Sequence, residues 1–184
     1  METTALYVEL IIIGLETSLW ITSFIIYLTN LSILKYVGIL LEKLPASILL
    51  LGIFYVLGMI FDRIADLTFT KSENKIRIKS GLEAKSSIII WKQADQESYL
   101  KYTRSKVRIL RSSSLNIPLI TFSLLLNITK YYKSPLRLLL FLIVVGILIS
   151  YFSFKGYNQT VASFYDKARI LELDKKNNPQ SNSN

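Results

Sequence analysis

Two glutamates lie inside the first long apolar run of the sequence, where a charged side chain is costly. Glu9 and Glu16 are seven residues apart, so they lie on one face of a helix, and Ser23 continues that face. A rise of roughly 1.5 Å per residue places Glu16 about 10 Å deeper than Glu9, near the middle of a membrane. Such a polar stripe can line a pore or a proton path. The alternative is that Glu16 is protonated, or hydrogen-bonded to a neighbouring Asn, Ser or Thr, and only holds helices together.

A second set of charged residues lies where the second apolar run ends and just before the third begins. Asp62 and Asp66 are four residues apart on a helix, and three arginines before the third run share one helical face. Bidentate pairing between guanidinium and carboxylate groups suits such an arrangement. We therefore expect an interfacial charge network that holds the second span to the third. Its predicted members are Asp62, Arg63, Asp66, Arg104, Arg108 and Arg111.

The same Asp-x-x-x-Asp spacing allows a different chemistry, a magnesium site for a diphosphate substrate. Membrane prenyl- and phosphatidyl-transferases need a second acidic motif to complete that site, and the sequence has none. The absence of Cys and His also removes thiolate nucleophiles, His-based metal sites and the usual acid–base residue near neutral pH. We therefore predict no catalytic residues, no metal and no cofactor. A metal-dependent enzyme acting on lipid or isoprenoid substrates remains as a third hypothesis.

A basic stretch with interleaved tyrosines precedes the third apolar run. It could bind acidic lipid headgroups, a nucleotide second messenger or nucleic acid. Its closeness to a span favours lipid headgroups, contacted by Lys101 and Lys106, and argues against nucleic acid as a partner. The chain contains no G-x-x-x-x-G-K or G-x-G-x-x-G phosphate loop.

The sequence has four apolar stretches, and the helices that they form must position these residues. A helix needs about 20 residues to cross a bilayer. The stretches cover 6–28, 44–64, 115–131 and 136–154 of the 184 residues. The third is the shortest and contains Asn116, Pro118 and Asn127, so a broken or partly interfacial helix would also fit. With 51% hydrophobic and 19% charged residues, the composition indicates an all-α integral membrane protein of four transmembrane helices.

The distribution of basic residues predicts the orientation in the membrane. Segment 70–114 holds 11 Lys/Arg against four Asp/Glu, a net charge of +7, and should be cytoplasmic. Four spans then put both termini in the cytoplasm as well. We expect a multi-pass protein of the plasma (bacterial inner) membrane, or its equivalent, in contact with anionic headgroups.

The predicted organisation is two helical hairpins separated by the basic segment. A first transmembrane hairpin covers 1–69, the basic cytoplasmic segment covers 70–114 and leads helically into the third span, and a second hairpin covers 115–157. A cytoplasmic helix and a disordered tail occupy 158–184. Within the basic segment, the alternation in KIRIK (75–79) resembles a strand.

Two functions fit this architecture. The first is an oligomeric channel or pore-like membrane effector with cytoplasmic gating elements, and it requires a homo-oligomer because four helices can hardly enclose a hydrated path alone. The alternative is a non-catalytic accessory or scaffold subunit of a larger membrane complex. Two glutamates in one span exceed what an inert anchor needs, which favours the channel.

Overall fold

The computed structural model describes residues 2–29, 38, 44–81, 98–132 and 136–177, and almost all of them are helical. The four helices are α1 (Glu2–Thr29), α2 (Leu44–Lys79), α3 (Ser98–Tyr131) and α4 (Leu136–Asn177). Each is long and apolar enough to cross a membrane. The prediction of an all-helical, multi-pass membrane protein with four candidate spans is confirmed. Most of the predicted hairpin turns and residues 178–184 of the predicted tail lie outside the described residues.

Helix α2 extends well beyond its apolar stretch and ends at Lys79. The strand predicted from the alternation in KIRIK is therefore wrong, because these residues form the last turns of α2. Ile76 packs against a buried cluster of the neighbouring helices, whereas Ile78 is exposed. After the helix, the Gly81 amide donates to Ile78 O and Gly81 has a φ of 77°, a conformation that suits glycine at a helix end.

Helix α3 runs without interruption through Pro118. A proline inside a helix has no N–H to donate to the carbonyl four residues earlier, here that of Ser114. The Ser150 hydroxyl of α4 lies 3.4 Å from the Ser114 carbonyl oxygen and donates to it. A neighbouring helix thus supplies a donor where the proline removes one, which is how helices inside membranes tolerate proline.

Helix α1 lies between α2 and α3, and α4 packs along α3. α1 and α2 run antiparallel and approach closely at two glycines: a Cβ on Gly14 would collide with the Phe54 backbone, and one on Gly58 with the Leu10 backbone. α1 and α3 run parallel, with Glu9 near Arg108 and Ser23 near Asn127. The membrane-crossing parts of three helices are therefore joined through α1.

The largest buried apolar cluster lies outside the most apolar parts of the helices, where α2, α3 and the second half of α4 meet. Its members are Val107, Tyr157, Val161, Phe164, Tyr165 and Ala168. The helix predicted for the C-terminal region is the continuation of α4 without a break, and it buries Val161, Phe164 and Ala168. We call this side of the bundle the charged end, because Asp62, Asp66, Arg108 and Arg111 lie beside the cluster.

Candidate functional site

One arginine of α3 binds two aspartates of α2 at the charged end. Arg111 Nη2 donates to Asp62 Oδ1 at 2.9 Å, and Arg111 Nη1 donates to Asp66 Oδ1 at 2.6 Å. The two aspartates are one helical turn apart, so a single planar guanidinium reaches both. Arg111 is 6% exposed, so the pairing takes place largely away from water. These ion pairs fix the position of α2 on α3.

A second arginine of α3 lies between α1 and α2 without a direct hydrogen bond to either. Arg108 Nη1 is 3.7 Å from Glu9 Oε2, and Arg108 Nε is 3.8 Å from Asp62 Oδ2. Both distances exceed the range of a hydrogen bond, so the contacts are ion pairs only. Arg63 pairs with Asp66 at 3.2 Å within α2, and its side chain is mostly exposed. The structure thus brings acids of α1 and α2 to the arginines of α3.

These charged side chains surround an open cleft of about 480 Å³ between α1, α2 and α3. Four arginines and three carboxylates line the cleft, together with apolar side chains of α1 and α2. The lining residues are Leu6, Leu10, Tyr55, Met59, Asp62, Arg63, Asp66, Glu73, Arg104, Val107, Arg108 and Arg111. The cleft is therefore apolar on one side and ionic on the other.

Glu16 faces α3, where its carboxylate accepts hydrogen bonds from two side chains. The Ser113 hydroxyl lies 2.8 Å from Oε1 and 3.0 Å from Oε2, and Asn116 Nδ2 donates to Oε2 at 3.3 Å. The Asn116 Oδ1 atom in turn accepts hydrogen bonds from Trp20 Nε1 at 3.0 Å and from Thr17 Oγ1 at 3.3 Å. Asn116 is completely buried. The network joins α1 to α3 near the middle of both helices.

Further polar contacts join α1 to α3 on the side of Glu16 that lies away from the charged end. Asn127 Nδ2 donates to the Ser23 carbonyl at 2.7 Å and to the Ser23 hydroxyl at 2.9 Å. At the far end, the Lys130 ammonium donates to the Tyr27 carbonyl. We call this row of contacts, from Glu9–Arg108 to Tyr27–Lys130, the polar seam. The predicted stripe of Glu9, Glu16 and Ser23 lies on it.

Several partners in the seam were not singled out by the sequence. Ser113 lies in a run of three serines, Thr17 follows Glu16, and Trp20 lies between two apolar residues; none of them carries a spacing signal. Asn116 stood out only as an interruption of an apolar run. Of the two predicted headgroup contacts, Lys106 is exposed and lies 5.2 Å above the Tyr102 ring, outside the cleft. The Lys101 side chain lies outside the described part of the chain.

The arrangement offers charge pairing and hydrogen bonding between helices. Within the described ranges, no group of three or more acidic side chains is placed to hold a metal ion. Asp62 and Asp66, the pair considered for magnesium, both bind Arg111. Comparison with known proteins finds no match to a protein-family model, to a curated protein or to a solved structure.

Proposed function

We propose that this chain is a non-catalytic accessory or scaffold subunit of a larger membrane complex. The observation that carries the proposal is the hydrogen bonding of Glu16 to Ser113 and Asn116. A carboxylate that would line a conducting path should face open space, whereas this one faces a neighbouring helix of the same chain. Its geometry is that of a group holding two helices together.

The outer surface of α4 also supports a role in assembly. Only 6% of its most apolar window is buried inside the bundle, against 33% for α3. The exposed side chains there are large and apolar, and they include Leu140, Val144, Ile147 and Tyr151. Their spacing of four, three and four residues forms a single stripe, the pattern with which one helix packs along another. In the proposed complex, a partner helix packs against this stripe.

For orientation, we propose that the charged end and both termini face the cytoplasm of the plasma (bacterial inner) membrane. The +7 charge of segment 70–114 supports this, since basic residues accumulate in cytoplasmic loops. Helices α2 and α4 then project beyond the bilayer as a packed unit, with Phe69 on the Tyr157 ring at 5.1 Å between centroids. Such a rigid extension offers a surface to a cytoplasmic part of the complex.

The test is extraction of the tagged chain from its native membrane in polymer-bounded lipid discs, followed by identification of what co-purifies. We expect a partner in fixed stoichiometry, and we expect Ile147→Trp on the exposed side of α4 to reduce its recovery. Leu49→Trp, on the exposed side of α2, is the matched control and should leave recovery unchanged. A monodisperse homo-oligomer that retains no stoichiometric partner would overturn the proposal.

A second candidate is the oligomeric channel, and the length of the polar seam favours it. Polar contacts join α1 to α3 along most of their shared length, from Glu9–Arg108 through Glu16–Ser113 to Tyr27–Lys130. A movement of α1 away from α3 would open a polar path along this seam. Ion flux through proteoliposomes tests it: flux that Glu9→Gln and Glu16→Gln alter would support the channel. Absent flux, or flux that neither substitution changes, argues against it.

A further inference from the structure

Two guanidinium groups of the cleft have N–H donors without a hydrogen-bond acceptor within the described part of the chain. The buried Arg111 Nε has no acceptor among the residues that the structure describes. Arg108 lies 3.7 and 3.8 Å from its two carboxylates, too far for a hydrogen bond. The Arg108 side chain is partly exposed and lines the cleft. A ligand that brings oxygen acceptors into the cleft can therefore accept hydrogen bonds from the Arg108 guanidinium.

Hydrogen bonding of the acids that line the cleft leaves Arg108 as the guanidinium to which an anion can bind. Four arginines and three carboxylates line the cleft, and Glu9 lies beside Arg108 as a fourth carboxylate; Arg111 already binds two of the lining carboxylates. The third, Glu73, accepts a hydrogen bond from the Tyr165 hydroxyl at 2.9 Å. With the acids engaged in this way, Arg108 offers a planar set of donors that matches a phosphate group.

The cleft lies at the depth of lipid headgroups. Glu9, which faces Arg108, is 19 residues from Leu28, or roughly 29 Å along a helix. This is close to the thickness of the hydrocarbon core, about 30 Å, so one end of α1 reaches each interface. The apolar lining residues Leu10, Tyr55 and Met59 lie closer than Glu9 and Asp62 to the middle of the apolar stretches of α1 and α2. A soluble anion would leave these apolar side chains uncovered, whereas the acyl chains of a lipid would pack against them.

We propose that the cleft binds the phosphate group of an anionic phospholipid, with Arg108 as its main ligand and the acyl chains along the apolar wall. Arg111 keeps its two aspartates and holds α2 against α3 beside the bound phosphate. The lipid thereby joins α1, α2 and α3 at one point. This site is separate from headgroup contact by exposed lysines, and it does not depend on whether the chain is a subunit of a complex.

Native mass spectrometry of the full chain in detergent tests the proposal, with phosphatidylglycerol and phosphatidylcholine of identical acyl chains as the probes. We expect phosphatidylglycerol to bind at least about tenfold more tightly than phosphatidylcholine, and Arg108→Gln to remove most of this difference. Lys155→Gln removes the same charge from the exposed side of α4, outside the cleft, and should change the affinity by less than about twofold.

Equal binding of the two lipids, or an equal effect of Arg108→Gln and Lys155→Gln, would overturn the site. Soluble glycerol phosphate that displaces phosphatidylglycerol at equal concentration would overturn the assignment to a lipid. If Arg108→Gln fails to fold, Met59→Trp keeps the proposal testable, because it narrows the apolar wall and leaves every charge in place. We expect Met59→Trp to weaken binding of phosphatidylglycerol, and unchanged binding would contradict the proposed position of the acyl chains.

Discussion

The Arg111 guanidinium lies 2.9 Å from the Asp62 carboxylate and so joins the end of the apolar stretch of α2 to α3, 49 positions further along the chain. The same guanidinium binds Asp66 at 2.6 Å. Because Arg111 is almost fully buried, little water reaches its guanidinium. This ionic contact, together with the buried cluster next to it, fixes where α2 meets α3.

Arg111→Gln should destabilise the protein strongly. The substitution leaves two carboxylates without their main cation, and breaking a buried ion pair costs about 3–5 kcal/mol. Since Asp66 is partly exposed, we expect the lower end, roughly 3 kcal/mol, in reversible unfolding in bicelles. Arg63→Gln is the control: its exposed pair with Asp66 should contribute less than about 1 kcal/mol. Equal losses for the two variants would show that Arg111 is not the central partner.

Glu16→Leu and Glu16→Gln should differ in their effect on stability. Glutamine keeps a carbonyl oxygen that can accept from Ser113 and Asn116, whereas leucine leaves both donors without an acceptor. Hydrogen bonds between helices in membranes contribute roughly 0.6 to 1.7 kcal/mol, so we expect a loss of about 1–2 kcal/mol for leucine and less than half of that for glutamine. Unfolding in bicelles measures both. A glutamine variant as unstable as the leucine variant would contradict the proposed hydrogen bonding.

Gly14→Ala and Gly58→Ala should each push α1 and α2 apart. An added Cβ at either position meets backbone atoms of the facing helix, which cannot move aside as a flexible side chain can. Overpacking of this kind costs about 1–3 kcal/mol. Gly52→Ala on the same helix α2 has open space around it and should be neutral or stabilising by up to about 1 kcal/mol. Thermal unfolding followed by circular dichroism compares the three variants, and a loss at Gly52 as large as at Gly14 would refute the close crossing.

Two buried tyrosines of α4 should respond differently to loss of their hydroxyl groups. The Tyr165 hydroxyl donates to Glu73 Oε1 at 2.9 Å, while the Tyr157 hydroxyl has no partner within the described ranges. Tyr165→Phe should cost about 1 kcal/mol, and Tyr157→Phe should be neutral or stabilising. The two side chains belong to one cluster, so each serves as the control for the other. Equal costs in unfolding measurements would show that the Tyr157 hydroxyl is satisfied in solution.

The polar residues of the site were only partly predictable. Glu9, Glu16, Asp62 and Arg111 stood out because charged side chains are rare in and beside apolar runs. Ser113, Thr17 and Asn116 gave no comparable signal, since small polar residues occur in membrane helices without any special role. Their importance follows from what they face across the contact between α1 and α3, and no spacing within one helix reports on that.

The strand expected at KIRIK shows where local pattern fails. Alternation of apolar and basic residues favours a strand only if no neighbouring helix can bury one of the apolar side chains. Here Ile76 packs against the buried apolar cluster, whereas Ile78 stays exposed. Continuation of α2 through these residues therefore forms the backbone hydrogen bonds and buries one of the two isoleucines. The outcome depended on a helix more than 80 residues further along the chain.

The sequence by itself determined that four helices can cross a membrane, because unbroken apolar length and satisfaction of the backbone inside lipid leave few other structures. It also marked the charged residues that needed a partner. Only the tertiary structure decided which partners they have: α1 lies between α2 and α3, Glu16 turns toward Ser113, and Arg111 reaches Asp62 and Asp66. The physical reason is that the ability to cross a bilayer depends on each helix by itself. Which helices become neighbours depends on contacts between them, here the close backbone approach at Gly14 and Gly58 and the buried charge pairs.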